Sequence, residues 1–146
     1  MAAIRRAQVK WDGDLKTGDG HVSAITSRAF SSLPVTWASR VEHADGRTSP
    51  EELLAAAHAT CFSMALASDL AKAGTPPGGL DVVSEITLDL VDGKQTVVSS
   101  KLTVRGKVHG LDNDRFREIA TQTKAGCPIS RALAGNVEIV LDAELQ

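Results

Sequence analysis

Thr48-Ser-Pro-Glu-Glu-Leu-Leu-Ala-Ala-Ala-His-Ala-Thr-Cys-Phe-Ser-Met-Ala-Leu-Ala-Ser-Asp-Leu-Ala-Lys-Ala-Gly74 carries the clearest structural signal in the chain. Ser49 stands at a helix N-cap, Pro50 in the first turn and Glu52 three residues after Ser49, which is the pattern of a capping box. Gly74 supplies the stop. Apolar residues fall on every side of the span, among them Ala55, Ala56, Ala57, Ala59, Ala65 and Ala67. The pattern predicts a buried helix rather than an amphipathic surface one, and a single small domain has trouble surrounding it.

On the N-terminal side, Ile4–Trp11, the turn-rich residues 12–20, His21–Phe30 and an extended segment near Pro34–Val41 predict an antiparallel hairpin plus one strand. On the C-terminal side, Thr75-Pro-Pro-Gly-Gly79 is a short loop. Leu80–Val91 and Gln95–His109, joined by Asp92-Gly93, alternate in the manner of a hairpin with one face covered. Asp112–Ala125 reads as a surface helix with Phe116, Ile119 and Ala120 inward and Arg115, Arg117 and Glu118 outward. Gly126-Cys127-Pro128 interrupts it, Ile129–Ala134 makes a short helix, and Asn136–Leu145 closes the chain as a strand.

At 146 residues the chain is expected to form one domain, residues 1–146, of α+β class. With 42% hydrophobic and 23% charged residues it is neither disordered nor collagen-like. A net charge of −2 and aromatics limited to Trp11, Phe30, Trp37, Phe62 and Phe116 disfavour nucleic-acid binding. No apolar run follows the basic N-terminus as a secretory signal requires, and the uncharged stretch Leu53–Ser68 falls short of a membrane span. A soluble, cytoplasmic protein is expected, with no membrane partner. In that compartment two cysteines are not a disulfide framework, which leaves structural thiols or redox chemistry.

On residue type alone Cys61, mid-helix in Ala-Thr-Cys-Phe-Ser-Met, reads as a small buried hydrophobe. A reactive thiol there requires a nearby cation, because an apolar site disfavours thiolate. Cys127 differs, since Pro128 fits the first position of a helix whose N-terminus favours thiolate; a loop-packing role is equally open. His21, His43, His58 and His109 form no close pair and no metal-ligand spacing with the cysteines, so no metal is expected. His58 is most simply a hydrogen-bonded core histidine. Ser63 and Ser130 lack the Gly-x-Ser-x-Gly context of a nucleophile, and Gly13, Gly18 and Gly20 precede a strand rather than an anion-binding helix.

The run Arg47 to Leu66, together with Lys124-Ala-Gly-Cys-Pro-Ile-Ser130, Trp11 to Gly20 and Ser39-Arg-Val-Glu42, resembles the osmotically inducible protein C family of thiol peroxidases over nearly the whole chain. The resemblance implies reduction of organic hydroperoxides, and more weakly hydrogen peroxide, without a bound cofactor. By it Cys61 is the peroxidatic cysteine and Cys127 the resolving one, with Arg40 and Glu51 as electrostatic support. The sister group of organic hydroperoxide resistance proteins carries its arginine in the first hairpin loop; residues 12–20 hold none here, and Arg40 takes that part. A sulfenic acid on Cys61 would condense with Cys127, and a dithiol reductant, such as a lipoylated protein, would regenerate the pair.

The resemblance further implies a homodimer in which two antiparallel sheets wrap two long central helices, resolving the burial problem. Glu51 and Cys61 are ten residues apart, about 15 Å along a helix, too far for one arginine to bridge. Two helices crossing antiparallel near Ala56 would set Glu51 of one chain level with Cys61 of the other, so each site would draw on both chains. Two competing readings are a non-catalytic ligand-binding or scaffolding member of the fold, with both cysteines as packing residues, and a peroxide sensor. The sensor ranks last, because no DNA-binding helix pair or basic patch is evident.

Overall fold

The computed structural model describes all residues, Met1–Gln146, and their contacts gather into two compact units, Met1–Leu53 and Leu54–Gln146. The first holds a three-stranded antiparallel sheet in the order β1 (Ala7–Asp12), β2 (Asp19–Ala24), β3 (Leu33–Val35). Its first loop closes on Asp14, whose carboxylate accepts from the Lys16 and Thr17 amides at 2.8 and 2.9 Å. Gly18 is required there, because a Cβ would collide with the Asp12 and Asp14 carbonyl oxygens.

Two expectations for this unit change. The strand predicted over His21–Phe30 ends at Ala24, where the chain turns and the Ala24 amide reaches the Phe30 carbonyl at 3.0 Å. The extended segment predicted near Pro34–Val41 is strand only over Leu33–Val35; Trp37–Val41 is a short helix, α1. The reason is a capping box: Thr36 Oγ1 accepts from the Ser39 amide at 3.0 Å, and Ser39 Oγ accepts from the Thr36 amide at 2.9 Å. Ser39 Oγ also donates to the Thr48 carbonyl at 2.9 Å, fastening α1 to the segment that enters the long helix.

That helix, α2 (Pro50–Lys72), runs in one piece from the end of the first unit into the second. Its start is as predicted, with the Glu52 amide donating to Ser49 Oγ at 3.1 Å. The Glu52 carboxylate, however, accepts from Thr48 Oγ1 at 2.8 Å rather than completing the box. Its end is a Schellman turn, with Thr75 N–H to Leu70 O and Gly74 N–H to Ala71 O, both 3.0 Å, and Gly74 at φ +83°. Within the chain α2 is not buried all round. His58, Phe62, Leu66 and Leu70, spaced by four, are fully buried, whereas Ala56, Ala57, Thr60 and Met64 form an exposed face, Met64 at 70%. The 23 residues are long and apolar enough to cross a membrane, beyond what the uncharged stretch suggests, but the buried stripe belongs to a packed core.

In the second unit β4 (Gly79–Val91) and β5 (Lys94–Lys107) form the predicted hairpin, turned by Asp92 at φ +50° and Gly93 at φ +75°. The expectation of purely antiparallel sheets fails here: β6 (Glu138–Leu145) pairs with β5 in parallel, giving the order β4-β5-β6. The physical reason is the connection, which contains α3 (Asn113–Gly126) and α4 (Pro128–Leu133) and so carries the chain back to start a strand in the same direction. Asp112 caps α3 through the Arg115 amide at 2.8 Å, and Phe116, Ile119 and Ala120 face inward as predicted. Together with Leu102, Val104 and Ala143 they pack against Phe62, Leu66 and Leu70. Gly106 admits the Phe116 ring, since a Cβ there would lie 2.6 Å from its edge.

Candidate active site

Cys61 lies midway along α2, and Cys127 is the single residue between α3 and α4, ending one helix and capping the next. The hinge is tightly held: Cys127 N–H donates to the Thr123 carbonyl at 2.8 Å, and Arg131 N–H to the Cys127 carbonyl at 2.9 Å. Thr123 Oγ1 also donates to Asp69 of α2 at 2.9 Å, fixing the end of α3 against the long helix. The result places the two sulfurs 3.3 Å apart as free thiols, Cys61 half-buried and Cys127 buried. A disulfide bond is about 2.05 Å long, so at this separation no bond joins them.

The two thiols are not equivalent. Burial pushes the Cys61 thiol above its ordinary value, the Ile129 amide pulls the other way, and the neighbouring Cys127 sulfur adds to the rise. Burial opposes the Cys127 thiolate as well, but the Ser130 amide, the Cys61 thiol, the Ser130 hydroxyl and the Ile129 amide outweigh it, so Cys127 titrates below an ordinary thiol. The cause is the first turn of α4, whose amides have no partner in the helical ladder. In the single chain the thiolate therefore favours Cys127.

One turn before Cys61, His58 is fully buried, as a core histidine is expected to be. Its Nδ1 lies 2.7 Å from Ser100 Oγ and its Nε2 2.8 Å from Ser130 Oγ, and Ser100 Oγ lies 3.3 Å from Ser84 Oγ. Burial holds the imidazole below its ordinary pKa. Ser130 is weighed from the sequence only as a nucleophile, and Ser84 and Ser100 are not singled out there, although a signal exists: Ser100 shares the alternating face of Leu102 and Val104, an inward position that demands a polar partner.

Arg40 and Glu51 also meet, within the first unit. Arg40 Nη2 donates to Glu51 Oε1 at 2.7 Å, and Nε reaches both carboxylate oxygens at 3.0 and 3.1 Å. The guanidinium stands 5.9 Å over the Trp37 ring from its own helix. α1 aims Arg40, and the first turn of α2 presents Glu51, which is buried where its neighbour Glu52 is exposed. The four residues singled out from the sequence thus form two pairs, one in each unit.

Residues 43–142 match the model of the family described as OsmC-like protein. The peroxiredoxin OsmC of Escherichia coli is 39% identical over 146 residues, covering 100% of this chain and 99% of that protein. An organic hydroperoxide resistance protein-like 2 of Staphylococcus epidermidis is 32% identical over 104 residues, 68% of this chain and 69% of the relative. Among solved structures, an organic hydroperoxide resistance protein from Elizabethkingia anophelis shares the fold with a TM-score of 0.78 over 100% of both chains, at 21% identity.

Proposed function

This chain belongs to the OsmC-like protein family, and from that premise we propose that it is a cysteine-based peroxidase that reduces organic hydroperoxides to alcohols, acting as one domain in the cytoplasm. The observation that carries the reading is the 3.3 Å approach of two free thiols that stand 66 residues apart in sequence. Names of relatives, a peroxiredoxin and hydroperoxide resistance proteins, point the same way.

In the proposed cycle the Cys61 thiolate attacks the terminal peroxide oxygen, the O–O bond breaks and the alcohol leaves. The Cys61 sulfenic acid then condenses with Cys127, releasing water, and a dithiol reductant, such as a lipoylated protein, restores both thiols. Cys61 is the half-exposed member of the pair and Cys127 the buried one, which suits attack on an incoming substrate by the first and resolution by the second. The cycle needs a cation to bring the thiolate onto Cys61, because burial and Cys127 act against it. Arg40, permanently charged and clamped by Glu51, is the proposed source, reaching Cys61 of a second copy in a homodimer. The exposed, weakly polar face of α2 through Ala56, Ala57, Thr60 and Met64 is the surface on which two such helices would cross.

Intact-mass analysis and thiol titration after one equivalent of cumene hydroperoxide test the cycle. Wild type is expected to lose two thiols per chain, Cys61→Ser to lose all turnover, and Cys127→Ser to react once and retain an oxidised Cys61. Peroxide consumption by Cys61→Ser at the wild-type rate would remove Cys61 from its role; no thiol loss in wild type would favour a scaffold.

A further inference from the structure

His58 takes no part in the cycle above, yet it is fully buried beside the thiols with both ring nitrogens engaged. Ser130, which meets Nε2 at 2.8 Å, is the third residue of α4, the helix that Cys127 caps. On the other side Nδ1 meets Ser100 Oγ at 2.7 Å, and Ser100 Oγ lies 3.3 Å from Ser84 Oγ. We propose that this string, Ser84–Ser100–His58–Ser130, is a device for holding the resolving thiol reactive: the Ser130 hydroxyl turns to donate to Cys127 Sγ, and His58 is the positioning residue that fixes its direction.

Counting donors allows two arrangements, of which the proposed one puts the imidazole proton on Nε2. A neutral imidazole has one N–H and one lone pair. With the proton on Nε2, His58 donates to Ser130 Oγ, which frees the Ser130 O–H to point at sulfur. Nδ1 then accepts from Ser100, and Ser100 accepts from Ser84, so each hydroxyl has one use. With the proton on Nδ1 the Ser130 O–H is consumed by Nε2, and the sulfur meets an oxygen lone pair that disfavours thiolate. Burial keeps the ring neutral, as the string requires. Other charged groups on the surrounding elements are engaged or turned away. Asp69 accepts from Thr123 and Lys72, Glu85 pairs with Lys101 at 3.6 Å, Lys124 donates to the Ile139 carbonyl, and Arg131 is exposed. Cys61 is the remaining titratable neighbour, 3.3 Å from Cys127.

The step served rests on the peroxidase reading. The Cys127 thiol loses its proton, its thiolate attacks Cys61 Sγ, the S–S bond forms as the S–O bond of the sulfenic acid breaks, and the departing hydroxide takes up one proton to become water. Cys127 is oxidised and the sulfenic sulfur reduced. A donor on the Cys127 sulfur raises its thiolate fraction and therefore the closure rate near neutral pH.

The test begins in the Cys61→Ser chain, where one cysteine remains and its ultraviolet thiolate absorbance can be titrated without peroxide. Ser130→Ala and His58→Gln are each expected to raise the Cys127 midpoint by about one pH unit, with Ser130→Thr restoring it. Ser130→Ala removes one small atom, so it keeps the question open to measurement if His58→Gln does not fold. An unmoved midpoint in a folded Ser130→Ala chain overturns the proposal. With both cysteines present, Ser130→Ala should lengthen the life of a dimedone-trappable Cys61 sulfenic acid about threefold, since the smaller thiolate fraction is partly offset by a more nucleophilic thiolate. If wild type forms no sulfenic acid at all, the peroxidase reading falls while the titration still decides the string.

Discussion

The thiol pair and the Arg40–Glu51 pair make an instructive contrast. The sulfurs of Cys61 and Cys127 sit among buried side chains, where burial raises the very thiol that the resemblance makes the nucleophile. Arg40 and Glu51 have charge in abundance, a guanidinium that donates to both oxygens of a carboxylate, and no nucleophile among the groups that hold it. Thiols with no cation among the groups that shift them in one unit, and a held cation without sulfur in the other, are the division that the proposed peroxidase requires of a site shared between two copies. An isolated Arg40–Glu51 pair, 29% and 11% exposed, would add little to stability by itself.

The largest expected effect comes from separating the halves. Arg40→Met should raise the Cys61 midpoint and slow peroxide reduction; a shift of about two pH units corresponds to about 2.7 kcal/mol. A pH profile of alkylation in the Cys127→Ser background reads it directly. Refolding inactive Cys61→Ser chains with inactive Arg40→Met chains should then return about a quarter of wild-type activity, since half the dimers are mixed and each holds one unmutated site. If mass spectrometry finds mixed dimers and activity stays absent, the contrast has another origin.

A smaller effect separates His58 from the carboxylates. Its folded pKa lies below its unfolded one, so the unfolded chain binds the extra proton. Stability is therefore full above the unfolded value near 6.5 and falls as pH drops through the window below it, by up to about 1.4 kcal/mol per pH unit. The lowered carboxyls of Asp14, Asp69 and Asp142 lose their contribution only at more acid pH. Urea denaturation between pH 7 and pH 5 should show the slope in wild type and a flatter line in a folded His58→Gln chain; equal slopes would assign the loss elsewhere.

What could be read from the sequence followed the range of the forces. Ser49 and Gly74 delimit α2 because caps act within a few residues, and Asp92-Gly93 marks the hairpin because only such residues accept positive φ at both positions. The parallel course of β6 was not legible, since alternation along Val137, Ile139 and Leu141 fixes a strand and its faces but carries no direction. Nor does any spacing announce that Cys61 and Cys127 meet; their pairing entered through resemblance. The Trp37–Val41 helix was written in Thr36 and Ser39, but Pro34, Val35 and Val41 around them read as strand, and a local cap won over propensity.

That cap gives the finest test of how the cation is held. α1 is five residues long, too short to persist on helix propensity, and its start depends on Thr36 Oγ1 accepting from Ser39. Thr36→Ala removes that acceptor and should cost about 1 kcal/mol, measured as a lowered urea midpoint, with Thr36→Ser close to wild type. If α1 does more than close a loop, its loosening must also spread the directions open to Arg40, since both Trp37 beneath the guanidinium and Arg40 itself ride on it. Peroxide turnover should then fall severalfold while the Cys127 midpoint, set in the other unit by Ser130 and Ile129, stays put. A Thr36→Ala chain that loses stability and keeps its full turnover would mean that Glu51 alone positions Arg40, through the three short contacts that join them.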